Sequence, residues 1–190
     1  AAFALGKLYL AGDAALPRDP AAALKWLTYA AELGNQFAQY RLGKLLLKGD
    51  DGIPKDVITA IRWLTAAAKQ ENGYAEYALA LVYLTGEDAP KDSVKALSLL
   101  KRSAGRGNQF AQYRLGKLLL QGEDAPKDVK AAIRWLTAAA EQGNQYAQYA
   151  LGKLYLLGKE VPKDRSSAIK WFQLAADQGN EYAQYFLKHM

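Results

Sequence analysis

One histidine, His189, and no cysteine occur among 190 residues. Thiolate and histidine-based metal centres, a cysteine nucleophile and a disulfide scaffold are thereby excluded, and a Ser-His-Asp triad would have to rest on a residue next to the C-terminus. Carboxylates gather in the pairs Asp50-Asp51 and Glu123-Asp124. These suggest cation binding, but their short loops lack the spaced oxygen ligands of an EF-hand, so solvated acidic loops are the preferred reading. No phosphate-cradling glycine loop and no nucleophile–base pair is present. What recurs instead is rings and amines. One series is Phe37, Tyr74, Phe110, Tyr146 and Tyr182, and a second is Phe3, Tyr40, Tyr77, Tyr113, Tyr149 and Tyr185. A third is Lys7, Lys44, Leu81, Lys117 and Lys153, and a fourth is Leu10, Leu47, Leu84, Leu120 and Leu156. Tyrosine offers apolar area with a polar tip, and lysine offers a charge for an acidic side chain or a peptide carboxylate. That is the chemistry of recognition. The chain is expected not to be an enzyme and to need no cofactor or metal.

The elements that position these series follow from one period. Pro17, Pro54, Pro90, Pro126 and Pro162 are separated by 37, 36, 36 and 36 residues, and each is followed by a basic residue and an aspartate. Trp26, Trp63, Leu99, Trp135 and Trp171 stand nine residues after the prolines, and Tyr40, Tyr77, Tyr113, Tyr149 and Tyr185 stand twenty-three after. Each unit reads as two helices. In the second unit the first helix spans roughly Gln36 to Lys48, with Asn35 as N-cap and Gly49 as a left-handed C-terminal cap. Gly12, Gly86, Gly122 and Gly158 are its equivalents. Asp56 caps the second helix or complements its dipole, and that helix runs to about Gln70. Ala38, Leu42 and Leu45 line one stripe of the first helix; Ala60, Ile61, Leu64, Ala67 and Ala68 line one of the second. Neither stripe can be buried by its own unit, so the core must be shared between neighbours. Five helix pairs and one further first-type helix, from about Glu181 to Lys188, predict eleven helices in a single continuous domain over 1–190.

Hydrophobic residues make up 51% of the chain, enough for a folded core. No apolar run approaches the ~18–20 residues of a membrane span. Net charge is +6, distributed over repeated positions and not gathered in one basic block. The chain begins Ala1-Ala2-Phe3, which reads as a processed or trimmed piece of a longer array, and no signal pattern is visible. The compartment is not specified by these features, with the cytoplasm slightly favoured.

The columns Ala38, Leu42, Gly43, Leu46 and Gly49, then Pro54, Lys55 and Asp56, then Ala60, Trp63, Ala67 and Ala68 resemble the Sel-one-like repeat (SLR) family over essentially the whole chain. The resemblance implies an all-α, right-handed α-solenoid of about five and a half antiparallel helix-pair repeats, related to tetratricopeptide repeats. It also implies an adaptor or scaffold without intrinsic catalysis. The repeats are unusually alike: residues 35–47 and 108–120 are identical, as are 61–68 and 133–140. Recent duplication and consensus-style engineering both account for this. The third unit departs most, with Leu99 for tryptophan, Ala80 for the Gly43-type glycine, Leu81 for the Lys44-type lysine and Glu71 at the Gly34 position.

Mapping the tetratricopeptide pattern onto the Leu42-Gly43 pair points to Phe37, Tyr40, Lys44, Leu47, Tyr77, Phe110, Tyr113, Lys117, Tyr146, Tyr149 and Lys153 as partner-binding residues on a concave surface. Inter-repeat packing is the competing role for both aromatic series, and core is the preferred role for the Trp63 series. The Lys55-Asp56 series reads as a solvated loop and helix start. The expected partner is a protein or peptide segment, and an acidic one suits the lysines. A designed or purely structural array without a ligand is one alternative. A weak single-stranded nucleic-acid binder is another, diluted by Gln39, Gln112, Gln148 and several glutamates. Apolar chain ends predict weak end-to-end homodimerisation.

Overall fold

The computed structural model describes residues 1–13, 15–49 and 52–190. Among these, eleven helices follow in order: α1 (Ala2–Ala11), α2 (Pro20–Glu32), α3 (Gln36–Lys48), α4 (Val57–Lys69), α5 (Gly73–Thr85), α6 (Ser93–Gly105), α7 (Gln109–Gln121), α8 (Val129–Glu141), α9 (Gln145–Leu157), α10 (Arg165–Asp177) and α11 (Glu181–His189). Odd-numbered helices are the first type and even-numbered helices the second. The fold class is the expected α-solenoid of helix pairs. The acidic pair Asp50-Asp51 lies outside the described residues.

Helix starts are fixed by the two cap series. Asn35 accepts from the Ala38 amide at 2.9 Å, and Asn72, Asn108, Asn144 and Asn180 do the same for their helices. Asp19, Asp56, Asp92, Asp128 and Asp164 cap the second-type helices at 2.9 to 3.0 Å. The aspartate after each proline is therefore a true N-cap, satisfying an amide that the helix cannot bond internally. Its own amide bonds back to the preceding first-type helix, as Asp56 does to the Leu46 carbonyl at 2.9 Å. The loop is thus tied at both ends.

The expected left-handed C-caps occur at Gly86, Gly122 and Gly158, with ψ of 9, 13 and 19°. Gly12 and Gly49 differ: φ stays positive, but ψ opens to 150 and 120°. These two begin the loops that carry one extra residue in the sequence. The Gly34 column has φ between 83 and 88° at Gly34, Gly107, Gly143 and Gly179, and Glu71 is held at φ 65° in the same turn. A non-glycine side chain there carries a steric penalty.

The chain divides into two compact units, Ala1–Leu99 and Leu100–Met190, with the division inside α6. In the first, α1 packs on α2 and α3 on α4, and successive pairs join through α2 with α3 and α4 with α5. Its core includes Ala30, Ala31, Ala38, Leu42, Leu46 and Ala60, with Ile53 inserted from the loop. In the second, α7 packs on α8 and α9 on α10, with α8 against α9 and α10 against α11. Leu136, Ala139, Ala140, Ala147 and Leu151 fill one part of that core, and Ala168, Phe172, Ala175 and Ala183 another. Alanine-rich faces let the backbones approach. At Gly43, an added Cβ would lie 2.6 Å from Leu64 Cγ; at Gly116 it would lie 2.7 Å from Leu136 Cγ, and at Gly152 2.6 Å from the Phe172 ring. These glycines set the close crossing of the two helices in each pair.

Candidate protein-interaction surface

At 100° per residue, Phe37, Arg41, Lys44 and Lys48 of α3 fall within an arc of about 60°, facing away from Ala38, Leu42 and Leu46. All four are exposed while those three are buried. Tyr40 and Leu47 lie about 60–80° round from Phe37, on the flank that turns toward the core. The residues expected to bind a partner therefore separate into two layers. Phe37, Phe110 and Tyr146 are 55, 46 and 54% exposed, Lys44 and Lys153 are exposed, and Lys117 is half-buried. Tyr40, Tyr77, Tyr113, Tyr149 and Leu47 are half-buried. Tyr113 and Tyr149 pack against the cores of the second unit, and Leu47 against that of the first.

The two aromatic series interlock between repeats. In the first unit, Phe3 stacks on Phe37 with centroids 6.4 Å apart, and Tyr40 meets Tyr74 at 5.9 Å. In the second, Tyr113 meets Tyr146 and Tyr149 meets Tyr182, each at 6.0 Å. The inner ring of one repeat supports the outer ring of the next. Burial pushes the Tyr40 and Tyr149 hydroxyls above their ordinary range; Arg41 opposes this at Tyr40, while the neighbouring tyrosines Tyr74 and Tyr182 add to it. Lys7 and Lys44 lie over the rings of Phe3 and Tyr40, 5.8 and 5.9 Å from their centroids. In the Trp63 series, Trp63 and Trp171 are half-buried and pack on the central clusters, and Leu99 is buried.

Charge is sorted by position. Helices α1, α3, α7 and α9 carry lysine or arginine and no carboxylate, whereas α5 carries no cation. Many of the acids sit at caps and in loops. Backbone and side-chain hydrogen bonds from Thr59 hold the Asp56 carboxyl below the usual range, and bonds from the Ser167 hydroxyl and amide do so at Asp164. Loop acids are drawn to lysines of the preceding repeat: Lys55 reaches Asp88 at 2.6 Å and Lys127 reaches Glu160 at 2.7 Å. The Lys55 series thus links repeats at the surface as well as preceding a helix.

Two groups of residues escaped the sequence reading. Arg41 and Lys48 share the exposed stripe of α3 and Arg114 holds the Arg41 position on α7, and their i+4 and i+11 spacing from Phe37 and Phe110 was the available signal. Arg114 is half-buried, and its Nε has no acceptor among the described residues. Gln39, Gln112 and Gln148 were expected to dilute a surface field but are buried. Gln39 Nε2 donates to the Ala31 carbonyl at 3.0 Å, and Gln70 Nε2 donates to Gln39 Oε1 at 2.8 Å. Gln112 with Gln142, and Gln148 with Gln178, repeat the pair at 2.7 and 2.8 Å. The recurrence of both glutamines at one period was the signal for these. A recess of about 770 Å³ lined by Leu24, Trp26 and Tyr29 of α2 includes none of the expected binding residues. No group of three potential metal ligands and no helix long and apolar enough to cross a membrane occurs among the described residues.

Comparison with known proteins accords with this geometry. The Sel1 repeat pattern matches residues 1–35, 36–72, 73–108, 109–144 and 145–180. Among solved structures, a protective antigen of uropathogenic Escherichia coli with an SLR fold is similar at 34% identity and a TM-score of 0.87, over 98% of this chain. The chain spans 40% of that antigen's length. A Sel1 repeat protein of Oxalobacter formigenes is similar at 30% identity and a TM-score of 0.87, covering 98% of this chain and 73% of that one. An immunity protein of Pseudomonas aeruginosa shares the fold at 23% identity and a TM-score of 0.66, over 98% of this chain and 69% of its own. No protein of curated function matches the chain.

Proposed function

Because the chain belongs to the Sel1 repeat family, we propose that it is a non-catalytic scaffold that holds a protein segment across the exposed stripes of its first-type helices. Sel1 repeat proteins are in general protein-interaction scaffolds. The observation that carries the reading is the exposed ring series. Tyr74 in the first unit and Tyr146 in the second remain 54% exposed although each rests on an inner tyrosine. Large rings packed on a half-buried neighbour lose less side-chain entropy when a partner covers them, which is the property of binding hot spots. The cations beside them provide polar contacts at the rim. The immunity proteins of the same fold are consistent with a protein as partner.

The test is affinity capture from the source lysate, with the Phe37→Ser and Tyr146→Ser double variant as control. Wild-type protein is expected to enrich a partner that the folded variant does not. Equal enrichment by both would remove the stripe from the account.

A further inference from the structure

We propose that Asn72 is a modification site: its side-chain amide is lost by intramolecular deamidation through the Gly73 nitrogen, at a rate set by opening of the turn between α4 and α5. Five asparagines occur in the chain, and each caps a first-type helix. Asn35, Asn108 and Asn144 precede glutamine and Asn180 precedes glutamate, whereas Asn72 precedes Gly73. Lacking a Cβ, glycine leaves its backbone nitrogen open to approach and gives it a wide torsional range. In the reaction that nitrogen bonds to Asn72 Cγ and gives up its proton to solvent, the Cγ–Nδ2 bond breaks, and ammonia leaves. Water then opens the cyclic imide at either carbonyl. One product is aspartate, and the other is isoaspartate, with the main chain routed through the former side chain.

The folded turn restrains this step. Asn72 is 4% exposed, and its Oδ1 accepts from the Ala75 amide at 3.0 Å, so the side chain is committed to the cap and shielded from water. The same turn carries two features that favour its opening. Glu71 sits at φ 65°, where Gly34, Gly107, Gly143 and Gly179 stand in the other turns, and a side chain in the left-handed region is disfavoured. Gly73 occupies the first position of α5, where the other capped helices start with glutamine or glutamate. It gains more chain entropy on opening than those residues do. Both departures thus flank the one asparagine whose neighbour permits fast attack. The two products differ in consequence. Aspartate is a good N-cap, as Asp56 is for α4, and keeps an acceptor for the Ala75 amide. Isoaspartate adds a methylene to the main chain and displaces that acceptor. It loosens the first turn of α5 and with it Tyr74, the ring that rests on Tyr40.

The experiment is peptide mapping by mass spectrometry of the full chain held in mildly alkaline buffer, with the amide-to-acid mass gain followed at each asparagine. Asn72 is expected to convert at least about tenfold faster than Asn35, Asn108, Asn144 or Asn180. Gly73→Gln, which places there the residue that follows Asn35, Asn108 and Asn144, is expected to bring Asn72 down to their rate. Glu71→Gly leaves the Asn-Gly bond in place and is expected to slow conversion about tenfold, a difference that disappears in concentrated urea. No conversion at Asn72, equal conversion at all the caps, or undiminished conversion in Gly73→Gln would overturn the site. Conversion of Glu71→Gly as fast as wild type, or a difference that survives in urea, would overturn the gating by the turn.

Discussion

The Tyr40 ring lies 5.9 Å from the Tyr74 ring of the next repeat, tilted by 36°, with Tyr40 half-buried and Tyr74 more than half exposed. The same inner–outer relationship joins Tyr149 to Tyr182. The inner ring is half-buried in the fold, and the outer ring is exposed.

Truncating an inner ring should therefore act on stability first. Tyr149→Ala removes contacts with Phe172, Phe186 and Tyr182 and is expected to cost about 2–3 kcal/mol, less than a fully buried aromatic. Tyr146→Ser should cost about 1 kcal/mol or less. Urea denaturation of the two variants checks the order. It follows that Tyr113→Ala with Tyr149→Ala, which the sequence suggests as a binding variant, will chiefly unfold the chain.

The glycines at the helix crossings should not tolerate a methyl group, and the third should tolerate it least. At Gly43 the obstruction is the Leu64 side chain, which has rotamers to shift into. At Gly152 three atoms of the Phe172 ring lie at 2.6, 2.7 and 2.9 Å from the added carbon, and a stacked ring moves only as a plate. Overpacking of this kind costs about 1–3 kcal/mol. Gly152→Ala should fall at the upper end and Gly43→Ala at the lower, measured by thermal or urea unfolding.

The cap aspartates predict how stability depends on pH. Asp56 and Asp164 have carboxyls held below the ordinary range by hydrogen bonds from Thr59 and Ser167. A folded-state value below the unfolded one adds stability that is fully present above the ordinary carboxylate pKa of about 3.9. It is lost as pH falls through the depressed folded values. Asparagine keeps a cap acceptor without titrating. The Asp56→Asn and Asp164→Asn double variant should thus show a shallower fall in thermal midpoint below about pH 4 than wild type.

Breaking a glutamine pair should expose its role as a junction between helices. Gln112 Nε2 donates to the Ala104 carbonyl at 3.1 Å while its Oε1 accepts from Gln142 at 2.7 Å. Gln112→Leu removes both bonds, leaving the Ala104 carbonyl only its 3.0 Å bond from the Gly107 amide, and should cost about 1–3 kcal/mol. Gln142→Ala, at an exposed position, should cost about 1 kcal/mol or less. Chemical denaturation of both variants separates the two.

Much of this was legible in the chain itself. Proline, aspartate and asparagine recur at fixed offsets, and each has one local role, so the helix starts could be read directly. The layering of the rings could not. Tyr40 lies only about 60° round the helix from Phe37, and both are aromatic positions recurring at one period. Which of them faces inward depends on how closely the neighbouring helices approach. The glutamines were opaque for a related reason: Gln39 is polar but buried, because Ala31 of the preceding repeat and Gln70 of its own repeat satisfy its amide. Gly12 and Gly49 differ from the later loop glycines in ψ, and both begin loops one residue longer in the sequence.

The central claim is that the exposed outer rings bind a protein segment. It is tested most directly by titrating the captured partner into wild type and into the Phe37→Ser and Tyr146→Ser variant. The account predicts that Kd rises about tenfold or more while the thermal midpoint falls by no more than about 4 °C. An unchanged Kd in the folded variant would contradict it.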